Sequence, residues 1–390
     1  MDQLNPPGDE AFIGWMLESV VAEARGDHMQ MLSVAPSGRL WLGRLAPEVV
    51  VQESRLGERS ERLEPCEVGV RLRLSEVDGR MVRCTGRFVV WSEFDGGDDP
   101  DSPRWRKSDP IEVTTELTTP RAIGTINAAG CDDFAAALAA IGADGMACEF
   151  HAELEFGKEG PEVLVTLVNC SPAELPHWDT NVYQASLIVD AGPTLPFTLD
   201  NLPDSFRYDR RVAAYGVNGG VEKVNETTHR TTDVAVHDQP RPTYWDDGVG
   251  TAPNITFAGL ADDPIPALRD LVNACERWSG EHWAPAVLDH RAKEEAWDGG
   301  MRSRADEEAS VSLEEIARLR RGLNLLEANE ELRWSFQLAN QAFARSPLVR
   351  HKQWRPFQLG FLLANVASIV DETRDGDRRI VDTLWFATGG

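Results

Sequence analysis

The chain has 390 residues, of which 42% are hydrophobic and 26% are charged, and its formal net charge is −25 at pH 7. This length exceeds what one ordinary core accommodates, so two or three domains are expected. No apolar run approaches the roughly 18 residues of a membrane span, and residues 1–7 lack the basic start and apolar middle of a signal peptide, so the composition predicts a cytoplasmic protein with no membrane partner.

An amphipathic helix is predicted over residues 10–25, because Ile13, Leu17, Val20 and Ala24 recur three or four residues apart. Gly26 is expected to end this helix. Residues 1–36 are therefore assigned to an N-terminal helical segment.

Short, partly alternating runs bounded by Gly, Pro and Asp predict a β-rich domain over residues 37–250. The runs cover residues 40–45, 67–74, 81–91, 111–117, 146–156, 162–169, 182–189 and 211–217. Asp78-Gly79 is a hairpin signal, which predicts that the second and third of these strands pair. Such a series of strands, with few helices between them, favours an antiparallel, sandwich-like architecture.

The titratable residues of this region form no complete catalytic or metal-binding motif. His177 and Asp179 place an imidazole two residues from a carboxylate, but the sequence positions no nucleophile beside them, so a hydrolase is the weakest of three hypotheses. The six cysteines are widely spaced, at positions 66, 84, 131, 148, 170 and 275, with no Cys-x-x-Cys pair. This spacing predicts reduced, core-filling thiols and neither a disulfide framework nor a metal site.

A segment rich in Pro, Gly and Asp over residues 240–266 separates the β-rich region from a predicted helical domain at residues 251–350. Apolar spacing predicts helices at residues 265–278, 313–328 and 332–343. Ser312 and Glu315 have the spacing of a capping box, which predicts that the second helix begins there.

Charge is distributed unevenly along the chain. Residues 301–390 hold 13 basic and 13 acidic side chains, so the whole net negative charge lies in residues 1–300, which are expected to repel nucleic-acid phosphates on average. One dense basic zone is present, and its side chains are predicted either to pair with nearby glutamates or to contact nucleic acid. The zone comprises Arg318, Arg320, Arg321, Arg333, Arg345, Arg350, His351 and Lys352.

The first of two nucleotide-binding features near the end of the chain is Trp354-Arg355-Pro356-Phe357-Gln358. An apolar-periodic run follows it and predicts a helix.

The second feature is a predicted strand over residues 380–386, which leads into Thr388-Gly389-Gly390. A strand followed by glycines is the order in which bare backbone N–H groups surround phosphate oxygens. The lysine and the Ser or Thr that complete a P-loop do not follow within the sequence.

The first feature resembles the Arg-Pro-aromatic-Gln motif of superfamily-2 helicases, and the stronger resemblance is to the helicase subunit of DISARM anti-phage defence systems. Residues 354–370 are similar to that family's W-R-P-F-Q-L-x-F-x-L-x-N segment, and residues 383–390 to its L-W-F-x-T-G-G-G-K-T segment, with Ala387 where the family usually has proline. Residues 39–47 and 336–342 resemble further elements of the family.

The resemblance implies an α+β protein in which residues 351–390 are the truncated start of the first RecA-like lobe. In the family, the glutamine of the motif donates a hydrogen bond to adenine and accepts one from it, while a neighbouring aromatic ring stacks on the adenine. The resemblance assigns these roles to Gln358 and to Phe357 or Trp354, with Arg355 in the same cofactor-binding segment. It assigns the start of the phosphate cradle to the Thr-Gly-Gly turn.

ATP and Mg²⁺ are the cofactors that the resemblance implies for full-length relatives, with DNA and a second subunit of the same defence system as partners. Residues 1–390 alone are expected to bind neither cofactor tightly and not to hydrolyse ATP, because the P-loop lysine and a Walker-B acid are missing. Nucleic-acid contacts are predicted for Arg318, Arg320, Arg321, Arg333, Arg350 and Lys352. The alternative hypothesis is a non-enzymatic interaction module that assembles with a separate motor subunit.

Overall fold

Antiparallel strands and α-helices occupy different parts of the chain. The structure, a computed structural model, describes residues 9–56, 64–75, 79–94, 102–234 and 251–370. The predicted α+β class with antiparallel sheets is confirmed. The RecA-like lobe stays a prediction, because its expected strand at residues 380–386 lies outside the described residues.

The chain divides into two compact units. The sheet unit comprises Met1–Leu199 and Arg210–Asp238, and the helix unit comprises Asp200–Asp209 and Gln239–Gly390.

The helices of the described residues are α1 (Asp9–Arg25), α2 (Glu48–Leu56), α3 (Cys131–Ala139), α4 (Phe257–Asp262), α5 (Pro264–Trp283), α6 (Pro285–Glu294), α7 (Gly299–Ala328), α8 (Glu330–Arg345) and α9 (Pro356–Val370). The strands are β1 (Met31–Leu32), β2 (Glu67–Arg73), β3 (Met81–Glu93), β4 (Trp105–Lys107), β5 (Ile111–Thr118), β6 (Ile126–Ala129), β7 (Cys148–Gly157), β8 (Gly160–Asn169), β9 (Trp178–Asp190), β10 (Phe197–Thr198), β11 (Arg211–Val212), β12 (Tyr215–Val217), β13 (Gly220–Lys223) and β14 (Thr228–Thr232).

Two antiparallel sheets form most of the sheet unit. One has seven strands, in the order β1-β4-β3-β9-β14-β13 with β5 paired to β3, and the other has five, in the order β12-β2-β8-β7-β6. Residues alternate between buried and less buried along β7, because one face of the strand lies on the core. Both sheets contribute to that core, for example Leu187 from β9 and Val165 from β8. Phe134 of α3 packs between Phe88 and Phe150, with ring centroids 5.6 and 5.0 Å apart.

The predicted hairpin between β2 and β3 is wrong. Gly79 has the positive φ expected of a turn glycine, at +82°, yet β2 pairs with β8 and β12 whereas β3 pairs with β4, β5 and β9. The chain therefore passes from one sheet to the other at this connection. A tight turn favours local pairing by a small free energy, and the long ladders that each strand forms with distant partners outweigh it.

Helices α4, α5, α7, α8 and α9 surround the main core of the helix unit. Leu268 of α5 is buried with Leu323 and Leu326 of α7 and with Leu359 and Leu363 of α9. These residues follow the helical spacing that predicts an apolar face. None of the described helices combines the length and the apolar character needed to span a bilayer.

Helix α7 begins at Gly299, so the predicted start at residue 313 is wrong. Asp298 is the N-cap, and its carboxylate accepts a hydrogen bond from the backbone N–H of Met301 at 2.8 Å. Ser312 lies inside the helix, where its hydroxyl is 3.4 Å from that of Ser279 on α5. Met301 is fully buried in a second core of this unit, and such tertiary packing stabilises the additional turns.

The segment Asp200–Asp209 belongs to the helix unit although it lies between strands in the sequence. Its Phe206 is buried and meets Trp283 and Trp297 edge-on, with ring centroids 6.3 and 5.8 Å away. The guanidinium of Arg291 donates to the Phe206 carbonyl at 2.7 Å. No local feature of the sequence predicts that this segment packs with the helix unit, because a single aromatic residue in a loop does not indicate where its side chain packs.

Candidate functional site

The Arg-Pro-Phe-Gln motif forms the first turn of α9. Arg355 is the residue before the helix, and Pro356 stands at its first position, where a missing N–H costs nothing. The side-chain oxygen Oε1 of Gln358 accepts a hydrogen bond from the backbone N–H of Arg355 at 3.0 Å, and the Arg355 carbonyl accepts from the Gln358 N–H at 3.0 Å. Gln358 therefore supplies the N3 half of a capping box, and its exposed side chain lies at the start of the helix.

Trp354 is partly buried and packs against the core of the helix unit. Its indole Nε1–H donates to Oδ1 of Asn340 at 2.8 Å, and its ring meets Phe257 and Phe343 edge-on at centroid distances of 5.6 and 5.5 Å. These contacts hold the ring among other aromatics. Phe357 is 37% exposed, so of the two predicted stacking residues it has the more accessible ring.

The position of α9 depends on a close approach to α7. At Gly322 of α7, a methyl group would lie 2.0 Å from the carbonyl oxygen of Leu363 on α9. Arg318 of α7 donates to Asn365 of α9 at 3.2 Å. The backbones of the two helices therefore pack with no room for a side chain at residue 322, and this contact places the Gln358 turn.

Three of the predicted nucleic-acid-binding arginines make contacts that connect helices. Arg318 contacts Asn365 and, at 2.9 Å, Glu315, and its side chain is only 17% exposed. Arg320 donates to Glu276 and Asn273 of α5 at 3.0 and 2.9 Å. The guanidinium of Arg333 donates to the carbonyls of Leu326 and Glu327 at 3.2 and 2.9 Å, which caps the last turn of α7. These guanidinium groups stabilise the packing of the helices.

The other three predicted residues, Arg321, Arg350 and Lys352, are exposed. Arg321 lies on α7, and Arg350 and Lys352 lie on the connection that leads into α9. Unlike Arg318 and Arg320, they form no ion pair with another described residue. Their cations are thus accessible to phosphate groups in solvent.

The remaining predicted cofactor-binding residues, Thr388, Gly389 and Gly390, lie outside the described residues. Whether they approach Gln358 stays a prediction, as does the phosphate cradle itself.

An apolar cavity of about 350 Å³ adjoins Trp354 in the helix unit. It is lined by Leu326, Phe336, Phe343 and Val366, among others. A triphosphate requires cations or backbone N–H donors, and this lining presents neither. The cavity suits an apolar group and is distinct from any nucleotide site at the Gln358 turn.

Asn340 is a residue whose role the sequence did not indicate. It is 1% exposed, accepts from Trp354 and donates through Nδ2 to the Phe336 carbonyl at 2.9 Å. A polar residue on the apolar face of an amphipathic helix is the signal that marks such a position, because a buried amide requires partners.

His177 and Asp179 have structural contacts. Asp179 accepts hydrogen bonds from Tyr183 Oη at 2.8 Å and from the side chain of Asn181 at 2.6 Å, so its two oxygens are engaged. His177 is exposed in the left-handed region, with φ of +66°, and its carbonyl accepts from the Glu93 N–H at 2.7 Å. The contacts give no support to the hydrolase hypothesis.

The structure is thus that of an α+β protein whose last described helix opens with a Gln-containing turn beside exposed cations. No protein-family model matches the chain. The chain is 32% identical over 174 residues to DISARM protein DrmA of Bacillus paralicheniformis, an alignment that covers 37% of this chain and 14% of that protein. This similarity confirms the resemblance to DISARM proteins inferred from the motifs, and the aligned region is a small part of the relative's length.

Proposed function

We propose that this chain acts in DISARM-related antiviral defence in the cytoplasm, as the DNA-contacting N-terminal region of an ATP-dependent helicase or translocase. The observation that carries the proposal is the similarity to DISARM protein DrmA. The sheet unit, which holds most of the negative charge, would contact a second protein subunit in preference to DNA, because an acidic surface repels phosphates.

The exposed cations of the helix unit support the DNA-binding part of the proposal. Arg321, Arg350 and Lys352 present charge to solvent, whereas Arg318, Arg320 and Arg333 bind neighbouring helices. We therefore assign the phosphate contacts to the exposed residues Arg321, Arg350 and Lys352. Reversing the charge of Arg318, Arg320 and Arg333 would disturb helix packing and would weaken DNA binding only indirectly.

Replacing Arg321, Arg350 and Lys352 together by glutamate is expected to weaken binding of the chain to duplex DNA and to flatten its salt dependence. Losing three phosphate contacts lowers the slope of log K against log salt by about 2.7 in magnitude. Fluorescence anisotropy at several salt concentrations measures this slope, and phage plating on cells that carry the defence genes provides a second readout.

A matched control is the triple variant Arg39→Glu, Arg83→Glu and Arg121→Glu in the sheet unit, which changes the net charge by the same amount at exposed positions. It is expected to keep the wild-type slope. Equal slopes for the two triple variants would contradict the assignment of DNA contacts to the helix unit.

Gln358 is proposed to recognise adenine through its amide nitrogen. Since Oε1 already accepts from Arg355, Nε2–H can donate to the base without loss of the capping contact. Phe357 is the proposed stacking residue, and Mg²⁺ would be held by P-loop residues beyond this motif.

In a helicase polypeptide that continues through the P-loop lysine, Gln358→Ala is expected to weaken ATP binding by about three- to tenfold, as loss of one base contact costs roughly 0.5–1.5 kcal/mol. Preference for ATP over GTP should fall with it. Competition of unlabelled nucleotides against a fluorescent ATP analogue measures both. Gln341→Ala, at an exposed glutamine on α8, should leave both unchanged; unaltered base preference in Gln358→Ala would disprove the adenine assignment.

A further inference from the structure

A cluster of metal-ligating side chains lies at one end of the five-stranded sheet. Glu149 and His151 are two residues apart on β7, so their side chains project from the same face. Cys170 directly follows β8, whose last residue Asn169 pairs with Cys148 at the start of β7. The ligand atoms of Glu149, His151 and Cys170 all lie within 4.8 Å of one another.

Two further cysteines lie near this group. Cys131 is the first residue of α3, and its thiol lies near the carboxylate of Glu149. Cys66 lies just before β2, and its carbonyl accepts from the Asn169 N–H at 2.9 Å, so its backbone lies near the end of β8. The ligand atoms that lie within 4.8 Å of one another are those of Glu149, His151 and Cys170.

The donor set and its spacing match the preferences of zinc. Thiolate, imidazole and carboxylate are the ligands of tetrahedral zinc sites, whereas calcium and magnesium take oxygen ligands. Oε2 of Glu149 and Nε2 of His151 are 3.2 Å apart. Two ligands about 2.0–2.1 Å from a tetrahedral zinc lie about 3.3 Å from each other, so this pair already has the required separation.

The surroundings of the cluster favour a cation. The carboxylates of Glu149 and Glu48 both place negative charge near Cys170. A divalent cation compensates these charges and stabilises the thiolate. The side chains of Glu149 and His151 are 27% and 26% exposed, so an ion can enter from solvent.

We propose that Glu149, His151 and Cys170 bind one zinc ion. Three protein ligands leave the fourth position of a tetrahedral zinc to a solvent molecule. The ion would connect β7 to the residue that follows β8. Because no two of the cysteines follow a Cys-x-x-Cys spacing, the site has no linear motif, and only the pairing of β7 with β8 assembles it.

The test uses the whole chain, purified in reductant, stripped with a chelator and titrated with zinc and, separately, with cobalt. One zinc per chain is expected, and cobalt should produce a thiolate-to-cobalt charge-transfer band and the d–d bands of tetrahedral coordination. Cys170→Ser and His151→Ala should each weaken zinc binding by more than about 100-fold, since loss of an outer-shell partner alone costs 10–100-fold. Cys275→Ser, which removes a thiol from the helix unit, should bind as the wild type does.

Thermal unfolding gives a second measurement. Zinc should raise the thermal unfolding midpoint of the wild-type chain and of Cys275→Ser. It should not raise the unfolding midpoint of Cys170→Ser. Where a variant does not fold, the cobalt spectrum of the wild-type chain decides. Absence of stoichiometric zinc binding by the wild type, charge-transfer bands that persist in Cys170→Ser, or a Cys131–Cys170 disulfide found by mass spectrometry in the native protein would each overturn the proposal.

Discussion

Substituting alanine for Gly322 is expected to destabilise the helix unit by about 3 kcal/mol, the upper end of the range for overpacked sites. The new methyl group would lie 2.0 Å from the carbonyl oxygen of Leu363 and 2.8 Å from its carbon. Both obstacles are backbone atoms, so no change of rotamer relieves the clash, and α9 must move away from α7. The Gln358 turn at the start of α9 would move with it.

Chemical denaturation followed by circular dichroism measures the loss of stability. Gly360→Ala provides a matched control, because Gly360 is also a helical glycine but its added methyl group meets only Leu319 Cδ2, at 3.9 Å. This control should be neutral or should stabilise the unit by up to about 1 kcal/mol, the difference in helix propensity. If Gly322→Ala were equally neutral, the helices would not pack as closely as described.

Trp354→Ala is expected to lower the free energy of unfolding by about 3 kcal/mol, the lower end of the range for replacing a packed tryptophan by alanine, because Trp354 is only partly buried. Two effects add here. The variant loses the edge-on contacts with Phe257 and Phe343, and it leaves Oδ1 of the buried Asn340 without its donor. An unsatisfied buried acceptor costs about 1–3 kcal/mol by itself.

Denaturation midpoints of Trp354→Ala and Phe357→Ala distinguish a core residue from a surface residue. Phe357 is 37% exposed, so its truncation should cost less than about 1.5 kcal/mol in burial. Trp354→Phe should recover part of the packing and none of the hydrogen bond. A Trp354→Ala variant as stable as the wild type would show that the indole contributes little to the packing of the helix unit.

Local sequence patterns were sufficient to predict those helices and strands whose formation depends on neighbouring residues. The spacing of apolar residues correctly predicted α1, which ends at Arg25 before Gly26, and the existence of α9, which begins at Pro356 within the Trp-Arg-Pro-Phe-Gln segment. Alternation correctly predicted the long antiparallel strands β7 and β8. In α9, β7 and β8 the pattern reflects which side of the element is buried, whereas the apolar residues Ile13 and Val20 of α1 are exposed.

Local sequence patterns gave wrong predictions where a contact with a distant segment determines how a strand pairs or where a helix begins. Asp78-Gly79 indicated a hairpin, but β2 and β3 belong to different sheets. Ser312 and Glu315 have capping-box spacing, but tertiary packing extends α7 back to Asp298. In each case a contact with a remote segment contributes more free energy than the local signal does.

The amino-acid sequence by itself determined the class of secondary structure in each region, the asymmetry of charge and the resemblance to DISARM proteins. Tertiary structure alone decided which strands share a sheet, which cations remain exposed, that Trp354 packs against a core, and that Glu149, His151 and Cys170 meet. The reason is that periodicity specifies which face of an element is apolar, whereas the partner of that face is chosen by the packing of the whole unit.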